Sequence, residues 1–311
     1  SEKITHTLNF QLSNSSNVPR YDRTSLLRNG RPRFAEWYYG PQFRTFTAYH
    51  LDVADVSKVF DLLRVTIAWQ SIEESRYDRA FRNDMRNGRV ETVQLLTLNA
   101  DFEKRIGKHE IRWGMDIASN DVKSVAEAEN IVTGERKKID TRYADGGAQM
   151  LQSALFATHT WEISPKFILT DGIRLNYSSL RAKFTDKTFF PFPFENVTQN
   201  NISATGNLGL VAKPGAGWRF SVLGSTGFRA PNVDDLSKVF ESVPGNLIIP
   251  NPNLKPEYTL NGEIGIHKQF GEMAEFQVTG FYTHYLNALT TGKTTLNGQD
   301  SVVYNDVLSQ V

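Results

Sequence analysis

A chain of 311 residues with 35 Lys and Arg against 34 Asp and Glu carries a formal net charge of +1, so its charge balance offers nothing to draw nucleic acid. It has no cysteine, which removes disulfide frameworks, thiolate metal sites and cysteine catalysis. No apolar run reaches the roughly 18 residues of a transmembrane helix, yet 20 Phe, 11 Tyr and 5 Trp accompany a mean hydropathy of −0.40. That combination suits a β-barrel that is apolar outside and wet inside.

In chain order, the opening SEKITHTLNFQL lacks the charged start and apolar core of an export signal. The closing YNDVLSQV is not the aromatic strand on which outer-membrane barrels usually finish. Both ends are expected to be cuts through a longer chain. Between them one pattern recurs, apolar and polar residues alternating with period 2. Leu63, Val65, Ile67 and Trp69 alternate with Arg64, Thr66, Ala68 and Gln70. Leu96, Leu98, Ala100 and Phe102 follow, then Ile111, Trp113, Met115 and Ile117 against Glu110, Arg112, Gly114 and Asp116. The pattern returns at 202–210, at 218–225 with Trp218, Phe220 and Val222, at 258–266 with Leu260, Ile264 and Ile266, and at 275–282.

The connections alternate in length. Short turns are expected at 55–58, 105–108, 163–166, 213–217 and 270–273, and long polar stretches at 13–42, 76–90, 122–147, 185–199 and 229–256. This is the rhythm of periplasmic turns and extracellular loops, and it predicts an all-β, antiparallel transmembrane barrel wall of about eleven to twelve strands. A soluble sandwich produces the same alternation; loop asymmetry and strand length favour the membrane. Residues 1–311 are expected to form part of one barrel domain.

The most specific text lies at 224–257. Phe228-Arg229-Ala230-Pro231 and Asn251-Pro252-Asn253-Leu254, completed by Lys255-Pro256-Glu257, resemble the FRAP and NPNL boxes of TonB-dependent receptors. The resemblance implies a barrel of about 22 strands in the outer membrane of a Gram-negative bacterium, filled by a plug domain and energised through the inner-membrane TonB complex. Plug and C-terminal strands are absent from this sequence, so the energy-coupling residues are not named. The resemblance also implies active uptake of an iron chelate (a siderophore) or haem. Alternatives are import of glycan or peptide fragments by the same architecture, and a passive porin or adhesive barrel. The three prolines cannot donate ladder hydrogen bonds and are expected where pairing stops. Arg229 and Glu257 are expected to pair across the base of the loop, with ligand contact by Arg229 the second reading.

Ligand-binding candidates come from the loops. Arg20, Arg23, Arg28, Arg31 and Arg33 face only Asp22 and Glu36, and Arg76, Arg79, Arg82, Arg86 and Arg89 form a second group. Guanidinium groups pair with carboxylate or phosphate, which suits an anionic chelate or lipopolysaccharide beside the membrane lipid. Phe189, Phe190, Phe192 and Phe194, interrupted by Pro191 and Pro193, are expected to cover the vestibule, grip an apolar ligand or touch a partner, with packing onto neighbouring loops the commoner outcome. Among the histidines, alternation puts His50 and His267 on the wet face and His6 and His284 on the apolar one, none at metal-ligand spacing. No catalytic constellation and no cofactor or metal site is predicted. Haem iron requires a His, Met, Tyr or Cys ligand, and the segment between the boxes, NVDDLSKVFESVPGNLIIP, has none. Tyr38, Tyr39 or the plug would have to supply it, so an anionic chelate held by loop arginines is the stronger expectation.

Overall fold

The computed structural model of the chain describes residues 3–28, 30–190, 192, 194–237, 249, 251, 253–290, 292–296, 298–304 and 307–310. Backbone N–H and C=O groups have no water to bond to inside a bilayer, so a strand crossing it must pair along both edges. The chain meets this demand with consecutive antiparallel neighbours. In order they are β1 (Ile4–Asn14), β2 (Phe43–Ala54), β3 (Leu62–Ala80), β4 (Met85–Ile106), β5 (His109–Asn130) and β6 (Ala148–Ser164). They continue as β7 (Phe167–Lys183), β8 (Asn196–Gly215), β9 (Trp218–Arg229), β10 (Glu257–Phe270) and β11 (Ala274–Leu286). These eleven form the main path of a fourteen-stranded sheet, which is open: among the described residues β1 and β11 each have one long neighbour.

The register fixes the two faces. Phe220 lies opposite Ile266, which lies opposite Val278; one step along, Arg219 meets His267 and then Gln277. The same alternation sets Trp113 beside Phe102, their rings stacked at 5.4 Å, and Arg112 opposite Glu103 on the other face. Outward residues remain bare, Ile202 at 79% and Ile264 at 63% exposure, as expected of groups that meet hydrocarbon and not protein. Exposed Trp161, Phe167 and Trp218 gather near the short turns, where aromatic girdles belong.

All five predicted short turns join consecutive strands. The stretch 76–90 is a correction: it is no loop. β3 runs 19 residues and β4 22, and only residues 81–84 turn between them. Here the hairpin rises past the apolar band, both faces become polar, and the period-2 signature disappears although the strands continue. β5 likewise persists to Asn130, inside the loop expected at 122–147. Beyond β11, Ser301–Tyr304 pairs with Val307–Gln310 in a separate two-stranded sheet.

The segment between β1 and β2 is structured. β2 starts at Phe43, opposite Glu73 of β3, so the rest of β3 would expose an unpaired edge. A short strand, Phe34–Tyr39, takes that edge, with Tyr39 opposite Arg76 and Phe34 opposite Ala80. Gly40 makes the passage to β2 possible, because a Cβ there would lie 2.0 Å from Ser75 Oγ.

The alternation predicts that in the full-length protein, reconstituted in lipid, Glu263→Cys reacts readily with a water-soluble maleimide while Ile264→Cys is protected. Faster labelling at 264 would show the register to be off by one residue.

Candidate ligand vestibule and lumenal wall

Above the membrane the inward face of β3 and the short strand brings cations and aromatic rings together. Inward positions on β3 are even-numbered, as Arg64, Thr66 and Gln70 show, so Arg76 and Asp78 point inward with Tyr39 and Trp37 opposite them. The Arg20 guanidinium lies 5.2 Å from the Trp37 ring centre and 5.6 Å from that of Tyr39. It donates to Asp22 at 2.7 and 2.6 Å and to the Tyr39 hydroxyl at 2.8 Å. Arg76 sits 5.6 Å from the same Tyr39 ring, and its Nε is buried with no hydrogen-bond partner. Tyr39 therefore has two cations in contact with it, an arrangement guanidinium groups favour.

The candidate arginines divide by this geometry. Arg20 joins the group directly. Arg23 stands 3.8 Å from Asp22, and Arg33 covers the Phe34 ring at 5.0 Å. Arg28 and Arg31 pair through their backbones in a separate small hairpin. From the second set, Arg79 pairs with Glu36 and Arg86 with Glu129 on the outward face, while Arg89 turns inward to Asp140 at 2.8 Å and Asp78 at 3.6 Å. The sequence reading did not single out Trp37. The alternation of Trp37 and Tyr39 carries the signal, but it becomes legible only once the strand's position on β3 is known.

Residues 139–147 form a strap across the inner wall. Arg89 holds Asp140, the Tyr143 hydroxyl donates to Asp234 at 3.0 Å, and Asp145 accepts from the backbone N–H groups of Thr185 and Asp186 at 2.7 and 2.9 Å. The Phe segment is tied down beside it. Phe190, Phe192 and Phe184 are buried against Met150, Leu180, Val197 and Val122 on the inward face of β5–β8, with Phe189 and Phe194 partly buried around them. Pro191 and Pro193 lie outside the described residues. The phenylalanines pack chiefly on the strands of the inner wall, where packing onto neighbouring loops was expected. Phe190 and Phe192, 0% and 3% exposed, present no free surface to a ligand in this conformation.

Near the strap, Glu91 is 4% exposed. It lies five residues beyond Leu96, where the unbroken outward apolar run Phe102, Ala100, Leu98 and Leu96 of β4 gives way to Gln94 and Thr92, and hence outside the membrane-crossing part. Ser124 donates to Oε1 at 3.3 Å, and Oε2 has no partner. Glu74 lies directly opposite. Burial pushes the Glu91 carboxyl up to about 7, against the opposing pull of Ser124 and Arg89. Burial likewise pushes the Tyr143 hydroxyl up to about 12.

At the rim, β9 ends on Arg229, which bonds Glu257 at 2.9 Å and Asp235 at 2.7 Å. Glu257 also accepts from the Leu289 N–H at 2.7 Å, and this bond, together with Arg229, holds its carboxyl below the usual range. The ion pair expected across the loop base is present. Ala230 and Pro231 are buried, Asn251 Oδ1 accepts from the Asn253 N–H, and the Leu254 carbonyl accepts from Gln199. Pro252 lies outside the described residues. Below the rim a concavity of about 520 Å³ is lined by Asn99, Asp116, Gln152, Arg174, Asn176 and Arg229 among others. Arg174 bonds Asp116 at 2.5 Å, and Asn99 donates to the same carboxylate at 2.7 Å.

The histidines follow the expected faces. His50 meets Thr66 and His267 meets Glu275 inside, and His6 meets Tyr49 outside. Register adds a contact that spacing could not show: His109, His159 and Asp171 form one outward row, joined at 2.9 Å and 2.9 Å. The mutual bonding lets three polar side chains stand on an otherwise apolar face.

The chain matches the family described as TonB dependent receptor-like, beta-barrel, over residues 3–307, and it belongs to that family. A sequence relative is the iron-regulated outer membrane virulence protein of Vibrio cholerae serotype O1, 22% identical over 224 residues, covering 71% of this chain and 29% of the relative. Among solved structures, the copper transporter OprC superposes with a TM-score of 0.67 at 13% identity, over 81% of this chain and 40% of that one. The ferric yersiniabactin uptake receptor FyuA from Yersinia pestis does so with 0.55 at 12% identity, over 99% and 44%. The chain thus spans less than half of each of these proteins. Its place is the outer membrane of a Gram-negative bacterium.

Packing of the strap is predicted to depend on pH. Because Glu91 binds its proton more tightly when buried than the ordinary carboxyl at 4.5 does, closure loses stability as pH rises from 4.5 towards 7 and is level above that. Amide exchange in residues 139–147 of the full-length protein should therefore be faster at pH 8 than at pH 5, and Glu91→Gln should remove the difference. Equal exchange at both pH values in the unmodified protein would contradict this placement of Glu91.

Proposed function

We propose that this chain is part of the barrel of an active importer that captures an anionic metal chelate, a ferric siderophore by preference, and passes it inward with energy from the inner-membrane TonB complex through a plug domain. The observation that carries the reading is the inward group of Arg20, Arg76, Trp37 and Tyr39. Arg76 has a buried Nε without a partner, and the rings supply flat apolar surface beside the charge. A ligand with carboxylate or phenolate oxygens around a metal meets both needs. Arg33 extends positive charge around the group, and Arg229 stands at the rim of the concavity below it. Haem is the weaker cargo because residues 232–250 hold no side chain able to ligate its iron. The iron-regulated relative supports iron; the copper transporter shows that this fold also serves another metal.

Substituting Arg20→Gln and Arg76→Gln together in the full-length receptor should weaken binding of an anionic ferric siderophore by about tenfold or more, since hydrogen bonds to charged groups contribute about 1.5–3 kcal/mol each. Uptake by cells should stop when the proton-motive force is collapsed. Affinity unchanged in the double variant across a panel of ferric chelates would remove the proposed site, and uptake persisting at full rate without the force would favour a passive pore.

A further inference from the structure

The sequence reading offered the loop arginines as a hold for lipopolysaccharide, but the structure turns Arg20, Arg76 and Arg89 inward and pairs Arg79 and Arg86 with carboxylates. The free cations on the outward face are elsewhere. Lys123 of β5 and Arg181 and Lys183 of β7 are exposed and have no carboxylate or hydrogen-bond partner for their side chains among the described residues.

Register places these three together. Asp121 lies opposite Gln149, which lies opposite Arg181. One outward step higher stand Lys123 and Lys183, with Gly147 between them accepting the Lys183 N–H at 3.0 Å. With strands about 4.8 Å apart, Lys123 and Lys183 start roughly 10 Å from each other, and Arg181 lies about 7 Å below Lys183. Asp121 is the one acid in these two rows on β4–β8, and Gln149 donates to it at 3.0 Å. Three cations against Asp121 leave the patch net positive, with Glu73 two strands from Lys123 in the same row.

Height relative to the membrane identifies the ligand. Outward residues of β7 run Phe167, Leu169, Asp171, Ile173, Leu175 and Tyr177, about the length needed to cross the apolar band, before Arg181 and Lys183 follow. Leu96, Leu151 and Ile202 mark the same upper edge on β4, β6 and β8. The cations thus stand just above hydrocarbon on the extracellular side. A ligand that fits has phosphate groups at that height and acyl chains directly beneath.

We propose that Lys123, Arg181 and Lys183 form a binding site for the phosphates of an outer-leaflet glycolipid, the lipid A portion of lipopolysaccharide, whose acyl chains lie on Leu151, Leu175 and Tyr177. The site rests on the outer-membrane location of the chain and is independent of the cargo. Its test uses the full-length receptor in detergent, titrated with bisphosphorylated lipid A, dephosphorylated lipid A and phosphatidylglycerol, with native mass spectrometry as readout. Bisphosphorylated lipid A should bind as one retained molecule, at least tenfold more tightly than either comparison lipid. Lys123→Gln, Arg181→Gln and Lys183→Gln combined should abolish that preference while siderophore affinity stays unchanged. Equal retention of dephosphorylated lipid A, equal binding of phosphatidylglycerol, or an undiminished preference in the triple variant would each overturn the assignment.

Discussion

The constraint on which this wall depends is that backbone polar groups cannot be left unpaired in hydrocarbon. Each long strand must lie against the next in continuous register, and continuous register forces side chains to alternate between lipid and lumen. From Trp218 opposite Lys268 to Arg229 opposite Glu257 the β9–β10 ladder holds without a shift, so the choice of face made at Phe220 also decides where Arg229 points. The proposed ligand group stands on the inward half of that alternation, and the outward half carries the exposed apolar residues.

The constraint lapses above the band, where water can satisfy the backbone. There β3, β4 and β5 continue as a tall hairpin wall, and the chain uses both faces for polar work. Outward, the half-buried Arg79–Glu36 and Arg86–Glu129 pairs tie neighbouring strands and occupy these cations. Inward, Arg20 and Arg76 bracket a ring, and the strap at 139–147 with the Phe segment fills the space between wall and rim. Glu91 Oε2 is buried there without a partner, as are Arg142 Nε on the strap and Arg76 Nε beside it, and because burial raises the Glu91 carboxyl to about 7, Glu91 is the group through which pH reaches the strap.

How much of this was legible beforehand follows from which interactions are local. Turns such as Gly107–Lys108 and the alternation at 111–117 depend on neighbours in sequence, and both were readable. The FRAP and NPNL boxes marked the ends of β9 and the start of β10, and the Arg229–Glu257 pair followed from that topology. What escaped were features set by distant partners. Residues 76–90 read as loop because composition is polar on both faces, although their partners in 86–89 and 126–129 make them strand. The phenylalanines were visible as an apolar cluster, but Met150 and Val197, which decide that the rings turn inward, lie about 40 residues earlier in one case and just after the cluster in the other. The cation row of Lys123, Arg181 and Lys183 has no sequence signature, because adjacency across β5, β6 and β7 exists only in the folded sheet.

The central claim is that ligand is received by the cationic, aromatic inward face of the short strand and β3, and that the covered Phe cluster takes no part in contact. The structure of the full-length receptor bound to a ferric siderophore, determined by electron cryomicroscopy, tests it most directly. The account predicts density for the anionic groups of the chelate against Arg20, Arg76 and Tyr39, with Phe190 and Phe192 still packed on Leu180 and Met150. Density seated on an exposed Phe190–Phe192 surface, with Arg20 and Arg76 left in solvent, would contradict it.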